Sequence, residues 1–159
     1  MNPAPLAPLT PQSFSFRAQD CPRTLAEGMA EFAAAQPGLL APAGRELAEF
    51  VHAHDACHVL FGLGTRVDEE ALADTWTLLA TDMSLRRYTG FLRHPELAAL
   101  FASTGAWPLL TGTLRALPRL VRVLWRTRRM PTRWPFWGYA EHLDTPLAAL
   151  RRRYAIRVV

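Results

Sequence analysis

The sequence predicts an all-α fold: a compact single-domain bundle of about six or seven helices. Apolar residues recur at three- and four-residue spacings through most of the chain, no run sustains the two-residue alternation of a half-buried strand, and no internal repeat is visible. Half of the 159 residues are apolar and a fifth are charged, a balance that suits one globular domain and is too hydrophobic for a disordered chain.

In chain order, residues 1–23 read as an extended or disordered lead-in, because Pro3, Pro5, Pro8, Pro11 and Pro22 punctuate them with little periodicity. The helical domain is expected over 24–159. Its first helix starts at Thr24, carries Leu25, Met29 and Phe32, and ends at Pro37-Gly38. A second runs from about Ala43 through Leu47, Phe50, Val51, His54, His58 and Phe61 to the stop at Gly62. Asp68 is the expected N-cap of a third, which carries Leu72, Trp76 and Leu79. Further helices are expected from Ser84 to about Phe101, from Trp107 or Pro108 to about Arg129, and from Thr145 to Tyr154, with Pro118 kinking the longest or marking its start.

The stretch from Leu97 to Leu114 has no ionised side chain and approaches the length of a bilayer span. Gly105, Pro108, Gly112 and its hydroxyl residues make it poor for a lone spanning helix, so two buried helices joined at Gly105 to Pro108 are expected instead. The two cysteines, Cys21 and Cys57, fit neither a disulfide framework nor a zinc knuckle, and no segment has the order of a secretory signal. A cytoplasmic chain is expected.

His54 and His58 stand four apart in a helical stretch, which stacks both imidazoles on one face, and Glu70 falls in the first turn of the next helix at the same end of the hairpin. Two imidazoles and a carboxylate suit zinc, manganese or ferrous iron better than calcium or magnesium. A pair of histidines at this spacing is also common as surface or hydrogen-bonded residues. His52 projects to another face, and Cys57 reads as a buried structural thiol.

The net charge of +4 is carried by arginine alone, since the chain has no lysine. Arg115, Arg119, Arg122, Arg126 and Arg129 recur at alternating spacings of four and three, with Leu117, Leu120, Val121, Leu124 and Trp125 between them. Such a basic amphipathic helix, followed by Trp134, Phe136, Trp137 and Tyr139, suits an anionic membrane surface; a solvated arginine face over a core helix is the equal alternative. Nucleic acid is not expected, because no recognised binding fold is legible.

The string His54-Asp55-Ala56-Cys57-His58, eleven further residues and then Glu70 resembles the H-D-x-x-H-x11-E signature of the Coq-four family of ubiquinone (coenzyme Q) biosynthesis proteins. Val59 to Thr65 is similar to that family's apolar run and glycine turn, and the tail from Trp137 through Glu141 and Pro146 to Leu150–Ile156 resembles its closing segment. Gly64 replaces a proline frequent in mitochondrial members, and nothing resembles a transit peptide, so the likeness is to a bacterial version.

The resemblance implies a protein on the inner face of the cell membrane that binds a polyprenylated aromatic quinone precursor and works among other quinone-biosynthesis enzymes, with a homodimer allowed. It implies one divalent ion, zinc foremost and iron or manganese as alternatives, held by His54, Asp55, His58 and Glu70. The implied reaction replaces a ring carboxylate by a hydroxyl. His58 and Asp55 are the expected catalytic residues, with Asp55 orienting a histidine or shuttling a proton if it is not a ligand. Zinc has no redox chemistry, so hydroxylation favours ferrous iron. The alternative is a non-catalytic lipid-binding scaffold whose metal only pins the helical hairpin.

Overall fold

The structure, a computed structural model, describes residues 14–36 and 44–158. The described residues form seven α-helices in the order α1 (Leu25–Ala34), α2 (Arg45–Phe61), α3 (Val67–Ala80), α4 (Leu85–Leu92), α5 (Pro95–Thr104), α6 (Ala106–Thr127) and α7 (Leu147–Arg153). Short 3-10 turns at Ser15–Arg17 and Tyr139–His142 precede α1 and α7, and the described residues contain no strand, only two isolated bridges. The all-α expectation is met.

Each helix is started and stopped by identifiable chemistry. Thr24 and Glu27 form a reciprocal capping box at the start of α1. The expected Pro37-Gly38 stop lies outside the described residues, and α1 already ends at Ala34. Gly62, at φ +74°, closes α2 with a left-handed cap in which the amide of Leu63 reaches back to the carbonyl of His58. Arg66, not Asp68, occupies the N-cap of α3, and Asp68, Glu69 and Glu70 fill its first turn, where the helix dipole favours negative charge. The single helix expected from Ser84 to Phe101 is two, because Pro95 has no amide to continue α4 and starts α5 instead. The next junction is the single residue Gly105, at φ +80°, and Pro118 lies inside α6 without ending it.

α2 is the central element: α1 packs on one side of it and α3 on another, while α6 makes its largest interface with α3. Leu25, Phe32, Phe50, Leu60, Phe61, Leu72, Trp76, Leu147 and Leu150 are among the buried side chains. Phe61 and Trp76 stack at a centroid distance of 4.4 Å across α2 and α3. Two glycines set close approaches. A Cβ on Gly28 would stand 2.5 Å from Val59 Cγ1, and one on Gly112 would stand 2.6 Å from Val67 Cγ1.

Where the sequence reads an extended lead-in to residue 23, the described part from Phe14 onward belongs to the core. Phe14, Phe16 and Cys21 are buried, and Phe14 stacks on Phe16. Proline density marks chain stiffness; it says nothing of two phenylalanines with a pocket to fill. Buried Arg151 on α7 fastens this segment by donating to the carbonyls of Phe16 and Ala18 and to those of Val59 and Leu60 near the end of α2.

Candidate metal centre

α2 and α3 are neighbours running from opposite sides of the Gly62–Thr65 turn, so the last two turns of α2 face the first two of α3. His54 and His58 project from α2, and Glu70 from α3. One ligand atom from each lies within 4.8 Å of the others, and no other such group of three occurs among the described residues. His58 is 1% exposed, with Phe32 stacked on its ring at 5.0 Å; Phe50 stacks on His54 at 6.0 Å.

The bonding of His58 fixes what its ring offers. Nδ1 lies 3.0 Å from the carbonyl oxygen of Gly64, an acceptor only, so Nδ1 carries the proton and donates. Nε2 is left facing Glu70 Oε2 at 3.4 Å. In a neutral histidine that nitrogen is an acceptor, and so is the carboxylate; a proton or a metal cation must lie between them. A histidine whose far nitrogen donates to a backbone carbonyl is the usual form of a metal-bound imidazole. Burial alone would lower the basicity of His58, but Glu70, with Asp55 and Asp74, reverses the direction and raises it. Glu70 is pushed up by burial and pulled further down by His58, so its carboxyl stays ionised below the ordinary range.

Three consecutive acids at the start of α3 go to three destinations. Asp68 pairs with Arg66 at 3.1 Å and Arg119 at 3.4 Å, Glu69 is buried against Arg17 through contacts of 2.8 and 3.0 Å, and Glu70 faces His58. Successive residues turn about 100° around a helix, which is why only the third reaches the histidines.

Asp55 is not brought into the cluster. It follows His54 around α2 and is half-buried outside the three-ligand group, where burial raises its carboxyl. Cys57 is fully buried and its thiol is pushed up to about 12 by that burial, so it offers no thiolate near neutrality. The residues missed in the sequence are Asp74 and Tyr88. Asp74 Oδ1 lies 3.3 Å from His54 Nε2 and accepts the hydroxyl of buried Tyr88 on α4. Their signal was present: Glu70 and Asp74 have the same four-residue spacing as His54 and His58.

No family model, characterised protein or solved structure matches this chain.

The arginines expected at a membrane divide into two sets. Arg119 is taken up by Asp68, and Arg126 donates to the carbonyls of Arg157 and Val158 at 2.9 and 2.7 Å. Arg115 and Arg122 are exposed, and Arg129 stacks over Trp125 with its guanidinium carbon 3.4 Å from the ring centre. The outward side of α6 is apolar: Trp107, Leu110, Leu114, Leu117, Val121, Leu124 and Trp125 are exposed, with Trp107 at 74%, Val121 at 66% and Trp125 at 56%. The buried-helix expectation for its first half is not met: among the described side chains of α6, Gly112, Ala116 and Val123 are buried and Leu120 packs partly against the core. No helix among the described residues is long and apolar enough to cross a membrane.

Proposed function

We propose that this chain is a divalent-metal protein of quinone biosynthesis that replaces the ring carboxylate of a polyprenylated hydroxybenzoate by a hydroxyl while resting on a membrane surface. The observation that carries the metal reading is His58 Nε2 set opposite Glu70 Oε2 with its tautomer fixed by Gly64; the substrate follows from the resemblance of the signature around those residues. When bound, the ion supplies a Lewis acid for a substrate oxygen and, as iron or manganese, a redox centre.

In the overall change the ring loses its carboxyl group as carbon dioxide and gains a hydroxyl, a two-electron oxidation. With dioxygen as acceptor and water supplying the hydroxyl, the other product is hydrogen peroxide. His54, His58 and Glu70 hold the ion, and Phe32 and Phe50 exclude water beside the histidines. Asp55, raised by burial, is a stronger proton acceptor than a solvated carboxylate and serves as the base. The outward face of α6, two tryptophans and five aliphatic residues bordered by Arg115, Arg122 and Arg129, supports docking on anionic lipid, and α6 has no acidic residue to oppose it. The precursor's prenyl tail and other quinone-biosynthesis enzymes would meet the protein there.

The scaffold alternative draws support from one feature: the candidate ligands bridge α2 and α3, so a metal would pin that hairpin whether or not chemistry followed. Metal content by mass spectrometry, on protein purified without chelator or metal-affinity resin, is the first test. Near-stoichiometric metal in wild type, lost in His58→Ala and Glu70→Ala, is the expected result. Metal-free wild type after reconstitution with zinc, iron and manganese would overturn the reading. Carbon dioxide release from a polyprenylated hydroxybenzoate under dioxygen then separates enzyme from scaffold.

A further inference from the structure

We propose that Asp74, which lies outside the histidine–aspartate–glutamate signature, is the fourth protein ligand of this centre. The inference rests on the metal-binding reading above and adds the coordination shell. α3 repeats the spacing of α2: Glu70 and Asp74 stand one turn apart, as His54 and His58 do, so the two helices meet in two rungs. One is His58 Nε2 to Glu70 Oε2 at 3.4 Å; the other is His54 Nε2 to Asp74 Oδ1 at 3.3 Å. Adjacent ligands on a tetrahedral ion with bonds of about 2.0–2.1 Å stand roughly 3.3–3.4 Å apart. Both rungs have that separation, while across the rungs Asp74 stands outside the group whose ligand atoms all lie within 4.8 Å of one another, so its carboxylate has to move inward to complete the shell.

His54 Nε2 is buried with the Asp74 carboxylate beside it at 3.3 Å. A buried imidazole nitrogen set against a carboxylate needs a proton or a shared cation between the two. Tyr88 donates to the same Oδ1 from the far helix α4 and holds the carboxylate in place, as outer-shell partners of metal ligands do.

Charge points the same way. Two neutral imidazoles and Glu70 leave a divalent ion with one uncompensated positive charge in a pocket walled by Phe32, Phe50 and Tyr88. Asp74 brings the shell to neutrality. The resulting set, two nitrogens and two carboxylates, takes a divalent transition ion, with a substrate oxygen entering as a further ligand.

The test uses cobalt(II) alone as the probe, added to chelator-stripped full-length protein, with affinity read by competition and ligand geometry by visible absorption. Asp74→Asn is expected to bind cobalt at least about 100-fold more weakly and with an altered visible band, while Asp55→Asn keeps both near wild type. Asp74→His is expected to restore binding with a band shifted toward a nitrogen-richer shell, and it decides the matter if circular dichroism shows Asp74→Asn unfolded. Unchanged affinity in Asp74→Asn, loss in Asp55→Asn instead, or weakened binding with an unchanged band would each overturn Asp74 as a ligand while sparing the three-residue centre. Failure of wild type to bind cobalt defeats both readings.

Discussion

A backbone carbonyl governs how His58 can be used. Gly62 adopts the left-handed turn that ends α2, the turn brings the carbonyl of Gly64 to Nδ1, and Nε2 is thereby aimed at Glu70. The pair behaves oppositely with and without metal. In the metal-free protein, His58 has a raised pKa, so its stabilising charge is complete below the ordinary imidazole range and is lost as pH rises through the raised value. Glu70 has a lowered pKa, so its contribution is present above the ordinary carboxylate range and is lost as pH falls through the lowered value. Metal binding instead needs His58 neutral and tightens as pH rises. Between about pH 6 and about pH 8, the melting temperature of chelator-treated protein should fall while that of metal-loaded protein holds or rises. Parallel curves for the two forms would remove His58 from the site. The His54, His58 and Glu70 part of this arrangement was legible because helical spacing is enough to stack i and i+4. That Asp55 stays outside the three-ligand group and that Asp74 meets His54 was not, since both depend on the angle at which α3 meets α2.

At the scale of elements, α6 shows how far periodicity reaches and where it stops. Its amphipathic spacing predicted a helix correctly, but periodicity does not say which stripe faces the protein. Among its described side chains Gly112, Ala116 and Val123 are buried, with Gly112 close over Val67, and small residues at these positions let α6 approach α3; Trp107, Leu110, Leu114, Leu117, Val121, Leu124 and Trp125 are left outside. Arg119 and Arg126, indistinguishable in sequence from Arg115 and Arg122, are spent on Asp68 and on the carbonyls of 157 and 158. Affinity for vesicles containing phosphatidylglycerol, read by sedimentation, should therefore fall sharply in a Val121→Glu/Trp125→Ala double variant and about thirtyfold in Arg115→Gln/Arg122→Gln, since each basic residue near an anionic surface contributes about 1 kcal/mol. Equal binding by the double apolar variant and wild type would exclude α6 as the contact. The α4/α5 boundary was open to reading from Pro95, whereas the order of residues 14–23 was hidden, because it is imposed by a distant residue, Arg151.

The whole molecule is closed by that arginine. Arg151 is 1% exposed and bonds carbonyls at residues 16, 18, 19, 59 and 60, joining the first described segment, the end of the central helix and α7. Arg151→Met keeps much of the volume but strands several buried carbonyls, each costing about 1–3 kcal/mol, so a net loss on the order of 3–5 kcal/mol is expected in urea unfolding. A loss below about 1 kcal/mol would mean that water reaches those carbonyls.

The placement of Arg151 also bears on synthesis. The helices that carry the metal ligands leave the ribosome well before residue 151 is added, yet the turn joining them follows carbonyls that this late residue satisfies. The nascent hairpin is thus made early and secured late, and a chain halted before α7 would carry every candidate ligand without the clasp that steadies them. Metal loading during translation, before the clasp closes, would give the ion a part in holding the unfinished chain together.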